Sequence, residues 1–155
     1  MRVRETMTRH VVSVSPEDSL DEAYELMLSQ DIRHLPVVEE AALIGVLSDR
    51  DILVRSTLED GAIVVPAIPV AEAMTTDIVT CEMSTSIAEA ATLMVQKKIS
   101  CLPVTSAGDL VGLVTSTDLL DLLCQRNDTH SRQLLPFRFK LQRYTGRREE
   151  FAARS

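Results

Sequence analysis

Hydrophobic and polar positions alternate in short stretches of period two and longer stretches of period 3.6, and the same order occurs twice along the chain. Val11 to Val14 is a β-branched run closed by Ser15-Pro16, as a short strand requires. Behind Glu17, Asp18 and Ser19, whose acids suit a helix start, Leu20, Ala23, Tyr24 and Met27 recur at helical spacing. Leu35 to Val38 predicts a second strand, with Pro36 placing it at an edge or a strand start. Residues 39–42 are a loop of hairpin length, Leu43 to Leu47 a third strand, and Asp49 to about Leu58 a second helix. The order then returns. Ile78 to Cys81 predicts a strand, and Ser86 opens a helix that would bury Ile87, Ala90, Ala91 and Met94. Cys101–Thr105 and Leu110–Thr115 read as paired strands, followed by a leucine-rich helix to about Cys124. Residues 59–71 carry turn punctuation but are too apolar for a solvated linker, so they are expected to lie along the body.

Sliding the chain by 67 residues aligns 5–54 with 72–121 without a gap. Of these 50 positions, 17 are identical, against roughly 3 expected by chance. The chain is therefore a tandem duplication of a β-α-β-β-α unit. A unit of about 50 residues buries too little surface to stand alone. The expected architecture is thus α/β (α+β): two repeats packed sheet to sheet about a pseudo-twofold axis. The corresponding segments are a first repeat over 1–58, a connector over 59–71, a second repeat over 72–124 and a tail over 125–155.

Composition narrows the function classes. A hydrophobic fraction of 45% supplies a core and argues against wholesale disorder. No apolar run approaches the ~20 residues that span a bilayer, and the first residues lack the apolar centre of a secretory signal. Three cysteines, an odd number without Cys-x-x-Cys spacing, suggest reduced thiols and a cytoplasmic location. No metal-ligand spacing is present, and no Ser, Thr or Cys has an evident base partner. The expectation is a protein that is not an enzyme and requires no cofactor. Charge divides sharply, at −12 over residues 1–124 and +5 over 125–155. The tail also holds Phe137, Phe139, Tyr144 and Phe151, four of the five aromatics. Its stretch from Leu134 to Tyr144 alternates like a strand, and it could fold over its own acidic body or that of a twin subunit. An anionic partner or a docked protein are the alternatives. One short basic segment on an acidic protein gives nucleic acid little support and a membrane none.

The candidate chemistry sits at Ser48-x-x-Asp51 and Thr115-x-x-Asp118, each where a strand ends and a helix begins. As local structure each is a capping box, although Asp is a methylene shorter than the Glu or Gln that the pattern favours. As a site, the free N–H groups of a helix start favour phosphate and a cap hydroxyl adds a hydrogen bond. A carboxylate one turn along can accept both hydroxyls of a ribose. Both readings fit the residues.

Further repeated pairs accompany these runs: Met7-Thr8 with Met74-Thr75, and Arg33 to Val37 (RHLPV) with Ser100 to Val104 (SCLPV). Together with Gly45–Asp51 and Gly112–Asp118, they make residues 3–124 resemble tandem cystathionine-β-synthase (CBS) domains, the Bateman module. The resemblance implies an adenosine-containing regulatory ligand (AMP, ADP or ATP, or else S-adenosylmethionine or NAD) and dimerisation into flat discs. By it, Asp51 and Asp118 would hold ribose hydroxyls, with Ser48 and Thr115 beside the phosphate. Val11, Val12, Ile78 and Val79, with the backbone near Pro36 and Pro103, would wall in the adenine. The copies differ, for Arg33, His34 and Arg50 could neutralise a polyphosphate where the second copy has Ser100, Cys101 and Thr117. As the first residue of a strand, His34 also fits a plain hydrogen-bonded role. The function implied is a stand-alone, homodimeric sensor that signals to a protein partner by a conformational shift. The alternative is a ligand-free dimeric interaction module whose tail docks a protein or an anionic partner.

Overall fold

The structure is a computed structural model that describes residues 1–127; the predicted tail strand lies outside the described residues. Helix α1 spans Leu20–Gln30 and is followed by strands β1 (His34–Glu39) and β2 (Ala42–Ser48) and helix α2 (Asp49–Arg55). Strands β3 (Thr57–Glu59) and β4 (Ala62–Val64) precede the second copy. That copy consists of β5 (Cys81–Glu82), α3 (Ile87–Lys97), β6 (Cys101–Ser106), β7 (Asp109–Thr115) and α4 (Ser116–Asn127).

The duplication is visible in the register. In β1–β2, His34 pairs with Ser48 and Glu39 with Ala42; in β6–β7, Cys101 pairs with Thr115 and Ser106 with Asp109. The slip between Val37 and Val38 recurs between Val104 and Thr105. The two hairpins meet along β2 and β7, where Ala42 opposite Asp109 links them into the order β1-β2-β7-β6-β5. On α1, Leu20, Ala23 and Met27 are buried and Tyr24 is half-buried; on α3, Ala90 and Met94 are buried. The helical periodicity therefore points each helix as the spacing predicts.

Each copy is completed by the lead-in of the other. Val3 and Met7 belong to the second copy's core, with Leu102, Val104 and Val114, while Val70 belongs to the first copy's core, with Leu35, Val37 and Leu47. Val3 N–H donates to the Thr85 carbonyl at 2.9 Å, and its equivalent Val70 donates to Asp18 at 2.8 Å. Thr8 and Leu113 exchange both backbone bonds, at 2.8 and 3.0 Å, as do Thr75 and Val46, at 2.9 and 3.0 Å. The repeated glycines are explained by this exchange. A Cβ on Gly45 would stand 2.6 Å from Met74 Sδ and 3.2 Å from the Thr75 carbonyl; on Gly112 it would stand 2.7 Å from Met7 Sδ and 3.1 Å from the Thr8 carbonyl.

Three sequence expectations change. Val11–Val14 is not a strand: only Val14 pairs, in a single parallel bridge to Val37. Likewise only Cys81 and Glu82 form the strand expected over Ile78–Cys81. The β-branched residues before these points line a cleft instead of extending the sheet. Helix α2 stops at Arg55 rather than Leu58, and the connector begins as the exposed hairpin β3–β4, turned at Asp60 and Gly61 (φ 49° and 80°).

Candidate functional site

Both capping boxes form. Ser48 Oγ accepts from Asp51 N–H at 3.1 Å while Asp51 Oδ2 accepts from Ser48 N–H at 2.9 Å. Asp118 Oδ2 accepts from Thr115 N–H at 2.7 Å and from the Thr115 hydroxyl at 2.9 Å, and Asp118 N–H reaches Thr115 Oγ1 at 3.3 Å. Each cap engages one carboxylate oxygen only. Neither Oδ1 has a hydrogen-bond partner among the described residues. A carboxylate has about four acceptor positions, so capping leaves capacity on each side chain.

That spare oxygen matters because both motifs border one cleft of about 1220 Å³ between the copies. The volume slightly exceeds the ~300–1,000 Å³ of ordinary small-molecule pockets. Of the residues expected at a site, Val12, Arg33, His34, Ser48, Arg50, Asp51, Val79, Pro103, Thr115 and Asp118 all line it. Pro36 does not; its carbonyl accepts from Val14 N–H at 3.0 Å.

The exchanged lead-ins determine how the cleft divides. Thr75 is held beside Val46, two residues before Ser48, so the first copy's motif faces the second copy's Ile78 and Val79. Reciprocally, Thr8 is held beside Leu113, two residues before Thr115, and that motif faces Val11 and Val12. Each half-site thus combines a hydroxyl-carboxylate motif from one copy with a β-branched wall from the other. The sequence alone did not show this crossing, nor that Asp31, Asp77 and Lys98 border the cleft. The repeated Met-Thr pair was its one signal, readable only once the glycines opposite are placed.

Between the half-sites the copies touch through side chains: His34 Nε2 and Ser100 Oγ are 3.1 Å apart. Burial holds the His34 pKa below its ordinary 6.5, outweighing Asp49, which pulls it upward; Arg33 adds to the lowering and Asp51 opposes it. The equivalent Cys101 is buried, and its thiol is pushed up to about 12 by burial, with Asp118 and Cys81 adding. Burial likewise raises the Cys81 thiol to about 11. Neither is a reactive thiolate at neutral pH. No three His, Cys, Asp or Glu side chains gather as a metal site among the described residues. No helix among them is long and apolar enough to cross a membrane.

Known proteins share this arrangement. The CBS domain family model matches residues 3–56 and 70–125. CBS domain-containing protein YhcV of Bacillus subtilis (strain 168) is 40% identical over 119 residues, which make up 76% of this chain and 81% of that protein. Several longer relatives, inosine-5'-monophosphate dehydrogenases and homoserine O-acetyltransferases, are matched over 21–24% of their length. Among solved structures, CBSX2 in complex with AMP superimposes with a TM-score of 0.71 at 28% identity, covering 80% of this chain and 97% of that one. The CBS domain pair of MJ0100, in complex with 5'-methylthioadenosine and S-adenosyl-L-methionine, gives a TM-score of 0.71 at 25% identity, covering 81% and 98%. With the family model matched once in each repeat, the chain belongs to the CBS domain family as a tandem pair.

Proposed function

We propose that the protein is a stand-alone, cytoplasmic regulatory module that performs no reaction of its own and binds an adenosine-containing ligand in the cleft between its repeats. The observation that carries this reading is the pair of motif carboxylates, each with an oxygen left over after capping, bordering one cleft. A ribose diol suits such an oxygen, the β-branched walls suit a flat base, and the Ser48 and Thr115 hydroxyls would serve a 5′ phosphate. AMP in CBSX2, and 5'-methylthioadenosine with S-adenosyl-L-methionine in MJ0100, support the ligand class. The ligand would shift the packing of the repeats by its differential affinity for two states, and a protein partner would read the result. Thermal unfolding with AMP, ATP, S-adenosylmethionine and NAD tests this. At ~100 times its Kd a native-state ligand adds about 2.7 kcal/mol, and no shift with any of the four at millimolar concentration would refute the reading.

Dimerisation belongs to the same proposal. Leu28 and Val95, equivalents under the duplication, are 64% and 78% exposed, and Leu53 and Leu120 are 47% and 59% exposed. Large apolar side chains left open at matching positions of both copies suit a symmetric interface. Sedimentation of Leu28→Asp and Leu120→Asp variants should show dissociation to monomers. A parent protein that is already monomeric would contradict it.

A further inference from the structure

Three equivalent pairs of residues lining the cleft differ by an acid. Asp31 stands where the other copy has Lys98, Asp49 where it has Ser116, and Asp77 where it has His10. Along the chain these acids are divided between the copies, two in the first and one in the second. The crossing gathers them. Asp77 belongs to the lead-in whose Thr75 pairs with Val46, so it arrives at the Ser48 motif, with Asp49 and Asp51. Asp31 lies on the same side, because the carbonyl of Arg33, two residues on, accepts from Asp49 N–H at 3.0 Å. His10 is carried the other way, to the Thr115 motif, by the pairing of Thr8 with Leu113. Lys98 joins it there, since the Ser100 carbonyl, two residues on, accepts from Ser116 N–H at 2.9 Å.

The Ser48 half-site therefore holds Asp31, Asp49, Asp51 and Asp77 against Arg33 and Arg50, a formal charge of −2. Both arginines are exposed whereas Asp49 and Asp51 are half-buried, so water and salt screen the cations more than these two acids. The Thr115 half-site holds Lys98 against Asp118, and its formal charge is zero. The helix starts differ in the same sense. Asp49 Oδ1 accepts from Arg50 N–H at 2.9 Å, which puts a carboxylate on an amide that a phosphate would otherwise use. At α4 the equivalent Thr117 N–H has no partner among the described residues, and Thr115, Ser116 and Thr117 bring three hydroxyls to the cleft.

Building on the adenosine-ligand reading, we infer that the two half-sites sort adenosines by the charge of the 5′ substituent. The Thr115 half-site takes a phosphorylated adenosine, and the acidic Ser48 half-site takes one whose 5′ substituent is cationic. Asp49 and Ser116 are the residues that set this preference.

Calorimetry and native mass spectrometry of the full chain test this with three probes: AMP, S-adenosylmethionine, whose sulfonium is cationic, and S-adenosylhomocysteine, which lacks that charge. The unmodified chain should hold one AMP and one S-adenosylmethionine together, and should bind the sulfonium about 10-fold more tightly than its uncharged analogue. Ser116→Asp sets a like charge beside the phosphate and should weaken AMP about 100-fold. Asp49→Ser should admit a second AMP to within about 10-fold of the first. Circular dichroism of each variant confirms that it is folded. Two equal AMP sites in the unmodified chain, mutual displacement of AMP and S-adenosylmethionine, or equal affinity for the sulfonium and its analogue would each overturn the inference. So would a folded Ser116→Asp chain with unchanged AMP affinity, or a folded Asp49→Ser chain that still takes one AMP. If none of the three probes binds the unmodified chain, the adenosine-ligand reading itself fails, a result distinct from binding without sorting.

Discussion

Replacing Asp51 by Asn separates the two jobs that one side chain can hold. The cap uses only Oδ2, at 2.9 Å from Ser48 N–H. An Asn carbonyl oxygen can accept that same bond, which leaves an NH₂ donor in place of the uncapped Oδ1. The reciprocal bond from Asp51 N–H to Ser48 Oγ, 3.1 Å, does not involve the changed group. Stability should therefore fall by less than the ~0.5–2 kcal/mol that losing a cap costs. Ligand binding should suffer far more, because the two ribose hydroxyls would meet a donor in place of a charged acceptor. Charged hydrogen bonds are worth about 1.5–3 kcal/mol net, so a loss of ~100-fold in affinity is reasonable. In a thermal-shift assay at ~100 times the parent Kd, the parent gains about 2.7 kcal/mol, or about 5–11 °C for a domain of this size. The variant at the same concentration sits near its own Kd, gains about 0.4 kcal/mol and should shift by only ~1–2 °C. Asp118→Asn should act likewise in the other half-site. If both single variants and the double variant keep the full shift with an unchanged baseline, the carboxylates are caps and nothing more.

Other perturbations probe the frame of the site. Gly45→Ala should cost about 1–3 kcal/mol in urea denaturation; Met74 can swing away, but the Thr75 carbonyl, 3.2 Å from the new Cβ, is tied to Val46. Gly112→Ala should match it, and a cost within ±0.5 kcal/mol for both would contradict the close approach. His34 gives a pH dependence: its folded pKa lies below 6.5, so as pH falls through 6.5 the unfolded chain takes the proton first. Its contribution is thus complete above that pH and declines below it. His34→Gln should flatten the decline measured between about pH 7.5 and 5.5, and an identical profile would remove His34 as its source. Thiol titration with a disulfide reagent at pH 8 should modify Cys124 rapidly and Cys81 and Cys101 only on unfolding, given their burial and raised pKa values.

Much of this was legible in the chain because the signals were local. Leu20, Ala23 and Met27 follow a period that a helix must bury, and Gly45–Asp51 repeats a strand end, a cap and an acid in order. What stayed hidden is set by distant pairing. Val11 and Val12 have the composition of a strand, yet of that run only Val14 pairs, in its bridge to Val37. Lys98 and Asp31 cap the ends of α3 and α1, and their place at the cleft follows from how the copies cross. The resemblance implied walls near both Pro36 and Pro103, and only Pro103 borders the cleft.

The swapped lead-ins carry one more consequence. A product of half this gene would lack the segment that closes its own interior, with the seat of Val70 or of Val3 and Met7 left empty. It could persist only by borrowing that segment from a twin. The joined chain turns such an intermolecular loan into an internal one, which no longer depends on concentration. Severing the exposed turn at Asp60-Gly61 should therefore leave two pieces that melt as one body.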